Sequence, residues 1–263
     1  MSRVLITNDD GIAAPGLRHL ALAAVEAGHE VVVAAPATEA SGMGTALTAY
    51  TDSDRVVVER QQLDGLADLP SYGVAASPSY IVIMAMAGAF GEVPDVVFSG
   101  INRGANAGRA VLHSGTVGAA FAAATYRVPA LAVSLDVLSP LDPASGGNRL
   151  TVLDSMADAS HNWASAAAYI RDVLPGLRDG WVLNLNVPDL PADKILGLKK
   201  ATLAEFGQVQ MAIAETGSDF VRVALEEHGG QHASGSDLAW LRDGYATYTA
   251  VRAVGVDEGF NLP

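Results

Sequence analysis

Arg3-Val4-Leu5-Ile6-Thr7-Asn8-Asp9-Asp10-Gly11 opens the chain and decides the reading of its fold. A short, mostly apolar run that stops at an Asn/Asp/Gly cluster is the pattern of a fully buried parallel strand followed by a turn. From Pro15 to Ala27, the residues Leu17, Leu20, Ala21, Ala24 and Val25 recur at helical spacing. Pro15 suits the first turn of that helix and Gly28 the position after its last. Glu30-Val31-Val32-Val33-Ala34-Ala35-Pro36 is a second buried strand, stopped by proline. Strand, helix and strand in this order make a βαβ unit, whose handedness rule implies a parallel sheet.

The alternation continues outward from this unit. Ser77-Pro78 opens an apolar helix through Met86, and Asp95–Ser99 reads as a strand that ends in a Gly/Asn-rich loop from Gly100 to Gly108. Ser114-Gly115-Thr116 starts an Ala-rich helix to about Tyr126, and Ala130–Leu135 is another strand. Leu150–Leu174 reads as a longer helix, and Trp181–Val187 as a strand closed by Pro188. The pattern predicts a three-layer α/β/α, Rossmann-like domain with a mostly parallel sheet over residues 1–190. Residues 191–263 change character. Phe220–Leu225 and Tyr245–Val251 alternate like exposed antiparallel strands, so a small β-hairpin/helix extension is expected there. Lone hairpins are marginal in water, which points to an oligomerisation arm, or else to packing on its own subunit.

Composition narrows the function. Half of the 263 residues are hydrophobic but only 6% are aromatic, so Ala, Val and Leu must fill the core. There are 16 Lys+Arg against 29 Asp+Glu, a formal net charge of −13, which argues against binding a nucleic-acid polymer through its backbone. No cysteine is present, which removes disulfides, thiolate metal sites and cysteine nucleophiles. Any metal must be held by oxygen or imidazole. The apolar stretch Tyr80–Phe90 is about half the roughly 20 residues of a membrane span. Without a signal-peptide pattern at Met1-Ser2-Arg3, the expectation is a soluble, cytoplasmic protein that does not engage membranes.

In an open parallel sheet, ligands bind beyond the carboxyl ends of the strands. Asp9-Asp10 lies at one such end. Adjacent carboxylates repel one another unless a cation or hydrogen bonds relieve them, and a hard divalent ion does so with oxygen ligands. An Asx-turn or helix cap would use the same residues. Asn102 and Asn106 lie in the glycine-rich loop, where they equally suit left-handed turns. Ser114-Gly115-Thr116 would either cap a helix or cradle a phosphate on the amides at its start. No Gly-x-Gly-x-x-Gly follows the first strand and no Gly-x-Ser-x-Gly elbow occurs, which disfavours a dinucleotide oxidoreductase and a serine hydrolase.

As a set, Val4–Ile12 with Ala14-Pro15-Gly16-Leu17, Ser41-Gly42, Pro94–Asn106, Ser114-Gly115-Thr116-Val117, Pro129–Leu135 and Leu183–Pro188 resembles the SurE stationary-phase survival proteins, as a divergent member. Ser236-Asp237 and Asp243-Gly244-Tyr245 resemble its C-terminal part more thinly. The resemblance implies a metal-dependent phosphatase of the nucleotidase type, acting on nucleoside 5′- and 3′-monophosphates or a related small phosphate ester. It implies Mg²⁺ or Mn²⁺ on Asp9, Asp10, Ser41 and Asn102, with Asp9, Asp10 and Asn102 in catalytic roles. Gly42, Asn106, Arg109, His113, Ser114, Gly115 and Thr116 would lie on the substrate and phosphate side. It further implies a homodimer or homotetramer assembled through C-terminal segments.

The chain departs from the family pattern around that set. It has Ala76-Ser77-Pro78-Ser79-Tyr80 where the family commonly has an acidic residue after Gly-Thr-Pro. Arg109-Ala110-Val111-Leu112-His113 replaces a loop that is usually acidic, and a helical Glu is absent from Phe121-Ala122-Ala123. Residues around a metal tune it, so these changes point to an unusual phosphate ester as substrate. The competing expectation is a nucleotide- or phosphate-binding protein with little catalytic activity.

Overall fold

The computed structural model describes residues 1–137, 160–207, 209–227 and 232–254. In chain order the strands are β1 (Arg3–Thr7), β2 (Glu30–Pro36), β3 (Thr51–Asp52), β4 (Arg55–Val56), β5 (Val58–Gln61), β6 (Ser71–Val74), β7 (Val96–Arg103), β8 (Ala130–Asp136), β9 (Val182–Pro188), β10 (Leu198–Lys200), β11 (Val209–Thr216), β12 (Val221–Glu227) and β13 (Ala246–Val251). Three longer helices are α1 (Pro15–Glu26), α2 (Pro78–Met86) and α3 (Gly115–Thr125). One nine-stranded sheet has the order β10-β13-β9-β8-β7-β1-β2-β6-β5. Strands β6, β2, β1, β7, β8 and β9 run parallel, with β5 and β13 antiparallel to their inner neighbours.

Successive side chains of a strand point to opposite faces, and here both faces are covered. Val4, Ile6, Val33, Phe98, Leu131 and Leu185 pack under α1 and the helical turns Trp163–Ala168 and Ile170–Val173. Leu5, Val32, Ala34, Val97, Ala130 and Ala132 pack under α2 and α3. That is the three-layer architecture the alternating pattern predicts, with strand order reversing across β1. The carboxyl ends of β1 and β7 therefore open one rim.

Three expectations change in detail. The predicted strand 95–99 runs on to Arg103, because a register shift between Ser99 and Asn102 lets the chain resume pairing with β8. Gly100 occupies φ +132 there, and a Cβ would lie 2.2 Å from the Val133 carbonyl oxygen, so only glycine fits. The predicted helix 150–174 is seen only from its described part. It forms two short turns followed by a 3₁₀ turn at Leu174–Gly176, and residues 150–159 lie outside the described residues.

The third change concerns residues 245–251, which the alternation read as an exposed strand. β13 instead lies inside the main sheet between β10 and β9, with Ala246, Thr247 and Thr249 buried. Its polar positions are threonines that face protein rather than water, which alternation alone cannot tell apart. Strands β11 and β12 do form a separate antiparallel ribbon. Ile213 is 71% and Val221 56% exposed on it. Among the described residues, no helix is long and apolar enough to cross a membrane.

Gly16 lets α1 lie directly on β7, since a Cβ there would come within 2.0 Å of the Ile101 carbonyl oxygen. Gly16→Ala should therefore lower stability by about 1–3 kcal/mol, read as a lower urea midpoint at an unchanged slope.

Candidate active site

The turn after β1 is built by Asn8. Its Nδ2 donates to the Gly11 carbonyl at 2.9 Å, and its Oδ1 accepts from the Gly11 N–H at 3.1 Å. Gly11 takes φ +99, so the chain reverses sharply and leaves Asp9 and Asp10 on the rim. Asp9 is only 4% exposed. Its Oδ1 accepts from the Thr116 hydroxyl, and the backbone amides of Gly115 and Thr116 also donate to its carboxylate. A Cβ at Gly115 would lie 2.6 Å from Asp9 Oδ2, so glycine is what admits the carboxylate to the start of α3. Asp10 has one backbone donor, the Arg103 N–H at 3.3 Å.

Burial pushes the Asp9 carboxyl above its usual range, against the pull of those hydrogen bonds. Asp10 is pushed up to about 7, first by burial and then by the charge of Asp9, with Arg103 opposing and Glu39 adding to the shift. A cation beside this pair would favour its ionised form. Asn102 donates its Nδ2 to the Gly104 carbonyl at 2.8 Å, which leaves its amide oxygen as a donor atom for a metal. Ser41 donates its hydroxyl to Glu39 at 2.7 Å and keeps its oxygen lone pairs. Among the described residues, no three acidic or imidazole side chains converge, so hydroxyl, amide and water oxygens would complete the shell. The donor set fits a hard divalent cation.

A cleft of about 310 Å³ brings together Asp9, Asp10, Ser41, Gly42, Asn102, Asn106, His113 and Ser114. Ser114 caps α3 by accepting the Val117 N–H at 3.0 Å, so the capping reading of that motif holds for this side chain. Thr116 is turned away from the cleft and braces Asp9 from behind, beside Gly115. Arg109 is exposed and does not line the cleft, so its charge stays in solvent.

Several further residues take part that the sequence reading gave no role. Glu39 and Arg103 line the cleft as well. Ser134, Asn184 and Asn186, on β8 and β9, hydrogen bond to Asn106. Asn at alternate positions of an otherwise apolar strand was the available signal, because a buried amide needs a partner. Asp237 is fully buried and accepts the N–H groups of Gly108 at 2.8 Å and Ala204 at 2.9 Å. It ties the loop after β7 to the segment that leads into β11. Burial pushes its carboxyl up too.

This fold and site have counterparts. A family model described as Survival protein SurE matches residues 4–211. A 5′-nucleotidase SurE of Desulfovibrio desulfuricans is 38% identical over 204 residues, 74% of this chain and 70% of that protein. Another, from Nitratidesulfovibrio vulgaris, is 32% identical over 262 residues, 95% of this chain and 93% of its own. The crystal structure of a SurE protein from Aquifex aeolicus superposes with a TM-score of 0.69 at 25% identity, over 95% of this chain and 93% of that one.

The raised Asp10 carboxyl has a consequence for stability. Between its ordinary value of 3.8 and about 7, the folded protein holds a proton that the unfolded chain has released, so stability falls as pH rises through this window. In the presence of a chelator, the thermal midpoint should drop between about pH 4 and about pH 7. Asp10→Asn, which cannot ionise, should flatten that slope.

Proposed function

The chain belongs to the SurE survival protein family, and from that premise we propose that it is a divalent-metal-dependent phosphomonoesterase of the nucleotidase type. It hydrolyses nucleoside monophosphates or a related small phosphate ester to the alcohol and phosphate. The observation that carries this reading is the buried Asp9, pressed against the amino end of α3, beside the half-buried Asp10, with Asn102 and Asn106 on the same cleft. The relatives named as 5′-nucleotidases support the reaction class.

Asp9, Asp10, Ser41 and Asn102 would hold Mg²⁺ or Mn²⁺. Such an ion, when bound, neutralises phosphoryl charge and lowers the pKa of water. Asp9, with Thr116 and two backbone amides fastened to it, is the rigid member of the pair. Asp10 has a single backbone donor and is the freer carboxylate to orient water and accept its proton. The Asn106 side-chain amide holds the phosphate, beside the amino end of α3, whose dipole favours an anion while its first N–H groups serve Asp9 and the Ser114 cap. His113 and Gly42 border the same cleft. Holding water and ester together in this way converts a bimolecular attack into a positioned one.

The exposed apolar positions Ile213, Phe220 and Val221 support a second part of the proposal, that the β11–β12 ribbon docks on another copy to form a homodimer or homotetramer. A two-stranded ribbon is marginal by itself. Removing residues 209–227 should convert the oligomer to monomer in light scattering, while the circular dichroism of the main sheet is retained.

Phosphate release from a panel of nucleoside monophosphates and other esters, with Mg²⁺, with Mn²⁺ and with chelator, tests the activity. Metal-dependent release is expected, with Asp9→Asn lowering kcat/KM by roughly 100-fold. Thr116→Val, which removes only the brace behind Asp9, should cost about 10-fold. Release that is unaffected by chelator, or by Asp9→Asn, would contradict the proposal.

A further inference from the structure

Asn106 follows β7 in the chain, yet its hydrogen bonds go to β8 and β9. Its N–H donates to Asn186 Oδ1 at 2.8 Å, and its carbonyl accepts from Asn186 Nδ2 at 3.0 Å. Asn186 thus grips the Asn106 backbone from both sides, amide to amide, as a neighbouring strand would. Asn184 Nδ2 adds a second donor to the same carbonyl at 2.7 Å. The Asn106 side chain is held separately, its Nδ2 donating to Ser134 Oγ at 2.9 Å. Asn186 is 1% exposed and Ser134 0%, so this grip is shielded from water.

The sheet register explains why these residues meet. Asn102 on β7 is the partner of Ser134 on β8, and Ser134 is the partner of Asn186 on β9. One row across three strands therefore carries a residue of the cation side and two that hold the phosphate-side amide. A side-chain amide has two N–H groups. With one fixed on Ser134, the plane and direction of the other are fixed too. Burying polar groups in strands whose neighbours are Leu183, Leu185, Val133 and Leu135 costs stability unless each has a partner.

We propose that Asn186 and Ser134 are positioning residues that fix the Asn106 amide for phosphate, the first through its backbone and the second through its side chain. This rests on the reading of the cleft as a phosphatase site. The variants separate the two grips. Ser134→Ala removes only the acceptor of the side-chain amide. Asn186→Ala removes both backbone contacts. Asn186→Asp keeps an acceptor for the Asn106 N–H but turns a carboxylate oxygen toward the Asn106 carbonyl.

Orthophosphate affinity measured by calorimetry in Mn²⁺-containing buffer, Mn²⁺ affinity measured separately, and KM and kcat on the best ester of the panel form the test. Ser134→Ala should weaken orthophosphate binding and raise KM by about 10-fold, and both Asn186 variants by up to about 100-fold, with Mn²⁺ affinity unchanged. Unaltered orthophosphate affinity in Ser134→Ala, a variant that retains the fold with one hydroxyl removed, would overturn the proposal. So would a parallel loss of Mn²⁺ affinity, since the grip would then serve the rim as a whole. A wild-type protein that neither binds orthophosphate nor hydrolyses any ester would instead remove the phosphatase reading beneath it.

Discussion

A buried carboxylate and a half-buried one stand side by side at the carboxyl end of one parallel strand, and the rest of the rim is arranged around that fact. Removing carboxylates from water is costly, and placing them side by side adds repulsion. Each surrounding feature relieves part of the cost. Asn8 closes the turn that presents them, Thr116 and the first amides of α3 bond Asp9, and the Arg103 N–H reaches Asp10. Gly115 exists as glycine because the Asp9 carboxylate occupies the space a Cβ would need. What these groups leave unrelieved is the charge on Asp10, which the proposed cation, with oxygen ligands from Ser41 and Asn102, would relieve.

The far wall of the cleft is assembled by contacts distant in sequence. The loop after β7 crosses the ends of β8 and β9 and is fastened there through Asn106, then again at Gly108 by Asp237. A Cβ at Gly108 would lie 2.2 Å from the Phe206 carbonyl oxygen, so loop and C-terminal segment touch backbone to backbone. The same segment continues into the β11–β12 ribbon. A buried carboxylate thus ties the loop that carries Asn106 to the segment before the ribbon proposed for assembly.

The family pattern and this chain differ mostly in the outer wall. Arg109, the most conspicuous added charge in the sequence, stays in solvent, while His113 four residues later borders the cleft. The 3₁₀ turn Gly108–His113 explains the difference, because its tight winding turns one side chain outward and the other toward the rim. Substitutions that look equivalent along the chain therefore act differently on the substrate side.

The sequence by itself determined the βαβ alternation and the three-layer parallel fold, and it placed Asp9, Asp10 and Ser114 at strand and helix ends, because buried strands, their stops and helix starts are local patterns of polarity and backbone freedom. The alternation of Asn184 and Asn186 carries no sign of their partner, and 245–251 reads as exposed because a threonine facing protein and one facing water look alike. Only the tertiary structure decided that Thr116 braces Asp9, that Asn102, Ser134 and Asn186 share one row, and that Asp237 holds Gly108. Those are pairings between segments up to 129 residues apart, set by strand order and register. Register is fixed by how whole faces pack, which no local window of the chain contains.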